Sequence, residues 1–244
     1  GYTSFYVDVT KLVREGENLV AVRVKNDLVP NSRWYSGSGI YRDVYLVRTN
    51  EIHFDHFGVR CATNGIYPKQ DTALLQIRAQ VVNDGSTAEN VGVLHKIYDR
   101  DGKLVSTSGI ALYLEPGESS DCMVRPTVEA PHLWTDEDPY LYTLVSTVVA
   151  VGRELDSFTC KTGIRTAAFD ADRGFLLNGG TVKIKGMCVH HDCGLTGAVG
   201  YRESWERRLK ELKDMGCNGI RCSHNPPAPV LLDLCDELGF LVMD

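Results

Sequence analysis

The chain has 244 residues, 43% of them hydrophobic and 24% charged, and its 26 basic and 32 acidic side chains give a net charge of −6. That is ordinary for a soluble globular protein of one large or two small domains; no dense basic run invites nucleic acid, and no apolar stretch reaches the roughly 20 residues of a membrane helix. The eight cysteines include no C-x-x-C pair, so a zinc knuckle is not indicated and buried free thiols are expected.

In chain order, residues 1–49 read as strands. Leu19 to Val24 and Val44 to Val47 are compact β-branched runs separated by a Gly/Ser/Asn-rich turn region from Pro30 to Gly39. Two or three strands cannot bury both faces of a sandwich, so this stretch is expected to be the end of a β domain whose beginning is absent. Residues 50–166 read as about seven short strands with turn signals between them, which suggests an immunoglobulin-like sandwich. Leu74 to Val81 leads into the turn Asn83-Asp84-Gly85. His95 to Tyr98 meets Leu104-Val105 across a hairpin with Asp101-Gly102 at its tip, and Tyr140 to Val151 is a long β-rich run.

The pattern changes near Ala167. Val182 to Val189 reads as a strand. Trp205, Leu209, Leu212 and Met215 then form one apolar helical face with Gly216 as its stop. Cys217 to Cys222 is a second strand, and Pro229 starts a second helix that turns Val230, Leu231, Leu234, Cys235 and Leu238 inward before Gly239. Phe240 to Met243 is a third strand. The order β-α-β-α-β implies parallel strands with right-handed crossovers, apolar throughout because helices cover the sheet. The first part of a (β/α)8 barrel and half of a doubly wound sheet both fit. The second normally carries a Gly-rich loop after its first strand, where this chain has Val189-His190-His191-Asp192, so the barrel is favoured.

Function in such a barrel gathers at the C-terminal ends of strands. One strand ends in His190, His191 and Asp192, and the next in Arg221, Cys222, Ser223, His224 and Asn225. Polar clusters on adjacent strand ends suit a ligand rich in hydroxyl groups. Other readings of these residues are weaker. Successive side chains alternate in direction, so His190, Asp192 and Cys193 need a loop to converge on a metal. Ser223-His224 lacks a nucleophile elbow. Nothing places Asp192 and Asp244 at the 5–5.5 Å separation of a retaining glycosidase pair.

These residues also carry a resemblance. The runs Asn218 to Pro226 and Leu234 to Asp244 are similar to the first signature of glycoside hydrolase family 2, and Ile184-Lys185-Gly186 leading into Val189 to Asp192 resembles the same family's first barrel strand. Arg33 to Val44 resembles the end of its N-terminal sugar-binding jelly roll. Pro131 to Trp134, Pro139 to Tyr142 and Gly163-Ile164-Arg165 resemble its middle immunoglobulin-like domain. The resemblance implies a mostly β and then α/β chain, with a partial jelly-roll end at 1–49, an immunoglobulin-like β-sandwich at 50–166 and a truncated (β/α)8 barrel start at 167–244. It implies a retaining exo-β-glycosidase, with β-galactosidase first and β-glucuronidase or another family 2 β-glycosidase as alternatives. A non-catalytic carbohydrate-binding sandwich module is the competing class.

By this resemblance, both catalytic glutamates lie beyond Asp244, and the fragment alone is inactive. His190, His224, Arg221, Asn225, Asp192 and Arg33 are expected to contact the sugar, with Arg221 beneath the histidines orienting the nucleophile. Trp34 is expected to be a core aromatic. Asn225 stands where the signature often has Tyr, and the rim is His-His-Asp where the best-known β-galactosidases have His-Glu-His. The expected partner is an oligo- or disaccharide. No cofactor or metal is assigned to this chain, with magnesium or sodium left open for the parent enzyme. A homo-oligomer and the compartment also stay open.

Overall fold

The computed structural model describes residues 2–27 and 39–244. It divides into two bodies, one of Leu46–Ile184 with Asp236–Gly239, the other of Gly1–Tyr45, Lys185–Cys235 and Phe240–Asp244.

The first body carries twelve strands: β1 (Ile52–Phe54), β2 (Arg60–Tyr67), β3 (Thr72–Asn83), β4 (Glu89–Tyr98), β5 (Leu104–Leu114), β6 (Ser119–Val124), β7 (Thr127–Glu129), β8 (Tyr142–Ala150), β9 (Arg153–Thr162), β10 (Ala167–Asp170), β11 (Gly174–Leu177) and β12 (Gly180–Thr181). One sheet is built on β3, with β2 and β1 along one edge and β7 and β6 along the other. A second runs β5-β4-β8-β9, antiparallel throughout. The period-2 alternation of these sequences turns one face of each sheet inward. Leu75, Ile77, Val81, Val93, Leu144 and Val148 are almost fully buried in one shared core, as an immunoglobulin-like sandwich requires. The β4–β5 hairpin has the expected Asp-Gly tip: Asp99 Oδ1 accepts from the amides of Asp101 and Lys103, and Gly102 takes the positive φ of 82° that the turn needs.

The segments at Trp134 and Gly163-Ile164-Arg165 meet in this body. Trp134 is fully buried, its amide donates to the carbonyl of Ile164 and its indole N–H donates to the carbonyl of Asp236 at 2.8 Å. The Arg165 guanidinium lies 4.3 Å over its ring. A Cβ at position 163 would stand 2.9 Å from the Trp134 side chain, so only glycine lets the chain pass.

His95 is buried within the core. One ring nitrogen shares a 2.8 Å hydrogen bond with the Ser146 hydroxyl, and burial pushes its pKa from 6.5 down to about 4.

The change of pattern at Ala167 first produces an antiparallel meander, β10-β11-β12. Asp170 Oδ1 accepts from the amides of Asp172 and Arg173, which folds the first turn, and Asn178-Gly179 takes positive φ at the second.

Parallel pairing starts in the second body. It contains β13 (Gly186–Val189), α1 (Arg202–Asp214), β14 (Gly219–Cys222), α2 (Pro229–Leu238, whose last three residues are grouped with the first body) and β15 (Leu241–Met243), with strand order β13-β14-β15. The first strand is shorter than its apolar run suggested, because only Gly186 onward pairs. Pleat and register put Val189, Ile220 and Cys222 on one buried face, and Trp205, Leu209, Leu231 and Leu234 of the helices are buried as well. The opposite face holds Cys188, Arg221 and Met243 and is exposed, so the sheet is apolar and covered on one side only.

Two expectations are corrected. Met215 is 69% exposed, because α1 ends at Asp214 and the chain turns away through Gly216 at φ 84°; the side chain therefore leaves the apolar face one residue early. Leu19 to Val24 and Val44 to Val47 form no strands. Among the described residues no neighbour pairs with them, and Leu19, Val20 and Leu46 are 82–94% exposed. A strand is defined by its ladder, and β-branched composition cannot supply the second edge.

Two outcomes follow from this packing. Trp134→Ala should lower the unfolding free energy by about 3–5 kcal/mol in urea melts. Because His95 stays neutral in the fold while the unfolded chain takes up a proton below 6.5, stability present above that pH is lost on the way down to about 4. Melts at pH 6.5 and 5 should differ by ~2 kcal/mol from this residue, a difference that His95→Leu removes.

Candidate functional site

The exposed face of the parallel sheet and the loops after β13 and β14 hold most of the polar residues that the sequence singles out. Arg221 projects from the middle strand between Cys188 and Met243, its register partners on either side. Its Nη1 donates to Ser223 Oγ at 3.2 Å and approaches Cys188 Sγ at 3.8 Å. Ser223 is nearly buried, and its amide donates to the carbonyl of Val189, which carries the parallel ladder one residue past β14. The hydroxyl expected to be a poor nucleophile is therefore a hydrogen-bond partner of a guanidinium.

The rings of His190 and His224 stand 6.3 Å apart at 85°, one from each strand end. Asn225 lines the same cleft as His190 and Ser223, with Trp205 and Leu231 forming its apolar wall. His190, His224, Arg221 and Asn225 thus occupy the ends of two adjacent parallel strands. Asp192 is held from behind. Arg208 of α1 donates to its carbonyl at 2.6 Å, lies 3.9 Å from its carboxylate, and stacks 4.9 Å over Trp205. The Asp192 side chain remains 31% exposed beside that cation. Arg33 and Trp34 lie outside the described residues.

His191 lies against Trp205 at 5.3 Å and is flanked by Tyr41 at 6.0 Å and Tyr2 at 6.3 Å. Burial first, and then the positive charge of Arg42, hold its pKa below the usual histidine value. Sequence does not mark Tyr2, Arg42 and Trp205 as neighbours of the site: Tyr2 lies 189 positions from His191 and Arg42 lies 184 from Pro226, and only tertiary folding brings them together. The one available signal was that Tyr41-Arg42 falls inside the segment resembling a jelly-roll end. Among the described residues, no three His, Cys, Asp or Glu side chains converge to hold a metal.

Cys188 is exposed on the sheet face, and hydrogen bonds from Ser223 and then Arg221 hold its thiol below the ordinary pKa, whereas burial raises Cys122, Cys160 and Cys222. Iodoacetamide at neutral pH should therefore label Cys188 before any of these three in this chain, and Ser223→Ala should slow that labelling, as peptide mass spectrometry would read.

Comparison with known proteins bears on the whole chain. The profile of Glycosyl hydrolases family 2 matches residues 59–165, and that of the family's TIM barrel domain matches residues 171–244. A β-galactosidase of Bacteroides ovatus, BoGH2A, is 47% identical over 100% of this chain and 29% of its own length. A putative β-glucuronidase of Formosa agariphila is 36% identical over 100% of this chain and 23% of its own length. Among solved structures, a glycosyl hydrolase family 2 member from Bacteroides cellulosilyticus superposes with a TM-score of 0.86 at 38% identity, covering 91% of this chain and 30% of the other. The chain thus spans under a third of the length of these relatives.

Proposed function

The chain belongs to glycosyl hydrolases family 2, and from that premise we propose that it forms part of a retaining exo-β-glycosidase, with a terminal β-galactoside as the preferred substrate. One observation carries the reading: His190 and His224 stand at right angles on the ends of adjacent parallel strands, with Arg221 on the open face of the same sheet. The two imidazoles and the Asn225 amide supply directional donors and acceptors for sugar hydroxyls, and hydrogen bonds that strengthen as the ring flattens lower the barrier. Arg221, whose guanidinium is steadied by Ser223, supplies a fixed positive charge that would keep a neighbouring carboxylate ionised and nucleophilic. The proton donor and the nucleophile are, on this reading, two glutamates from later barrel strands. The first protonates the leaving oxygen while the second bonds to the anomeric carbon; water then releases the sugar. The residues 1–49 are proposed to be the end of a jelly-roll domain preceding the sandwich.

A β-glucuronidase is the second reading, favoured by the Formosa agariphila relative and by a Bacteroides fragilis β-glucuronidase that is 30% identical over 99% of this chain and 36% of its own length. Measuring kcat/KM for chromogenic β-galactoside and β-glucuronide with the full-length protein separates the two, and the galactoside should be the faster substrate. His224→Ala should lower kcat/KM by about 100- to 1000-fold, the usual effect of removing a group that stabilises a transition state. Undiminished turnover in that variant would reject the site. The 244-residue chain alone should release no chromophore.

A further inference from the structure

Arg42 lies far in sequence from both strand ends, yet it hydrogen-bonds the loop after β14 and lies near aromatic rings that flank the loop after β13. Its Nη1 donates to the carbonyl of Tyr2 at 2.7 Å, and its Nη2 donates to the carbonyl of Pro226 at 2.6 Å. Pro226 follows His224 and Asn225 directly. The guanidinium carbon is 5.9 Å from the ring centres of both Tyr2 and Tyr41, and those two rings in turn flank His191, next to His190 on the neighbouring loop. All of these residues lie in one body.

A guanidinium is suited to this place. Its planar fork can reach two carbonyls in different directions at once, it is charged at every working pH, and it can lie against aromatic rings. An ammonium carries its three donors on one nitrogen, so it lacks the two separate nitrogens with which Arg42 meets the two carbonyls. The loop that carries His224 and Asn225 has no strand or helix of its own between Cys222 and Pro229. Besides the Ser223 amide bond to Val189, the Arg42 contact is a tether to a segment more than 180 positions away. Hydrogen-bonding groups at a sugar site must be held to within a fraction of an ångström to favour a transition state over the ground state.

We propose that Arg42 is a positioning residue of the glycosidase site, which fastens the His224-Asn225-Pro226 loop through the Pro226 carbonyl and braces the His191 side of the neighbouring loop through Tyr2 and Tyr41. It acts through these groups and does not itself meet the sugar. The catalytic half of the proposal rests on the β-glycosidase reading, while the structural half does not.

The test uses the full-length protein with Arg42→Met and Arg42→Lys. Hydrogen exchange read by mass spectrometry should show the amides of Ser223, His224, Asn225 and Ala228, the residues of this loop that carry an N–H, exchanging at least about tenfold faster in Arg42→Met, with the strands of the sandwich unchanged. Turnover of a β-galactoside should fall by about 100-fold in kcat/KM, the effect of misplacing a binding group by about an ångström. The loss should appear in kcat at saturating substrate as well as in KM, and Arg42→Lys should recover part of it. If Arg42→Met does not fold, Arg42→Lys decides: a wild-type melting temperature with faster loop exchange and reduced kcat supports the proposal, and wild-type exchange and kinetics overturn it. Loss of activity matched by the unfolded fraction, with unchanged loop exchange in the folded protein, also overturns it. A wild-type protein inert toward every β-glycoside would defeat the glycosidase reading, and the exchange of the Ser223, His224, Asn225 and Ala228 amides would still decide whether Arg42 tethers the loop.

Discussion

The close approach of Gly186 to Gly219 sets the phase of the parallel sheet. A Cβ on Gly186 would lie 2.6 Å from the Gly219 carbonyl oxygen. Asn218 locks the same junction from its other side, where its amide donates to the carbonyl of Lys185 and its side-chain oxygen accepts from the Lys185 amide. Because side chains alternate with a period of two, this single register decides the destination of every later residue. Ile220 and Cys222 go to the buried face and Arg221 to the open one. A slip of one residue would bury a guanidinium among apolar side chains, which is costly without a partner.

The site inherits its layout from that phase. Ser223 extends the ladder by one hydrogen bond, which delivers His224 and Asn225 to the strand end beside His190. The loop after β13 is stabilised from the helix side, where Arg208 joins the carbonyls of His190 and Asp192 and covers Trp205. Two adjacent histidines therefore serve opposite purposes. His190 faces the His224 ring, while His191, also half-buried, lies against aromatic rings. The sandwich has an independent logic, with its core filled by alternating residues of two antiparallel sheets and Trp134 occupying space that Gly163 leaves open.

Much of this was legible in the residues themselves. Alternating apolar residues marked the sandwich strands, and Asp101-Gly102 marked the hairpin. Two helices with glycine stops between three apolar runs specified a β-α-β-α-β unit, and polar residues at the ends of those runs marked the candidate site. These features are local: periodicity, turn chemistry and capping act over a few residues and leave a direct imprint on sequence. The β-branched runs at 19–24 and 44–47 show the limit, since pairing depends on a neighbour that composition does not provide.

What the sequence determined by itself, then, was the order and type of the elements in the sandwich and the parallel unit, and the identity of His190, Arg221 and His224 as polar residues at strand ends. Tertiary structure decided which way each of them pointed and what held it. It tied Asp192 back to Arg208 and turned His191 inward. It also brought Tyr2 and Arg42 to loops that lie 189 and 184 positions away along the chain. Those contacts join segments whose separation carries no periodic signal, and they form only when the register of the sheet has fixed where the loops emerge.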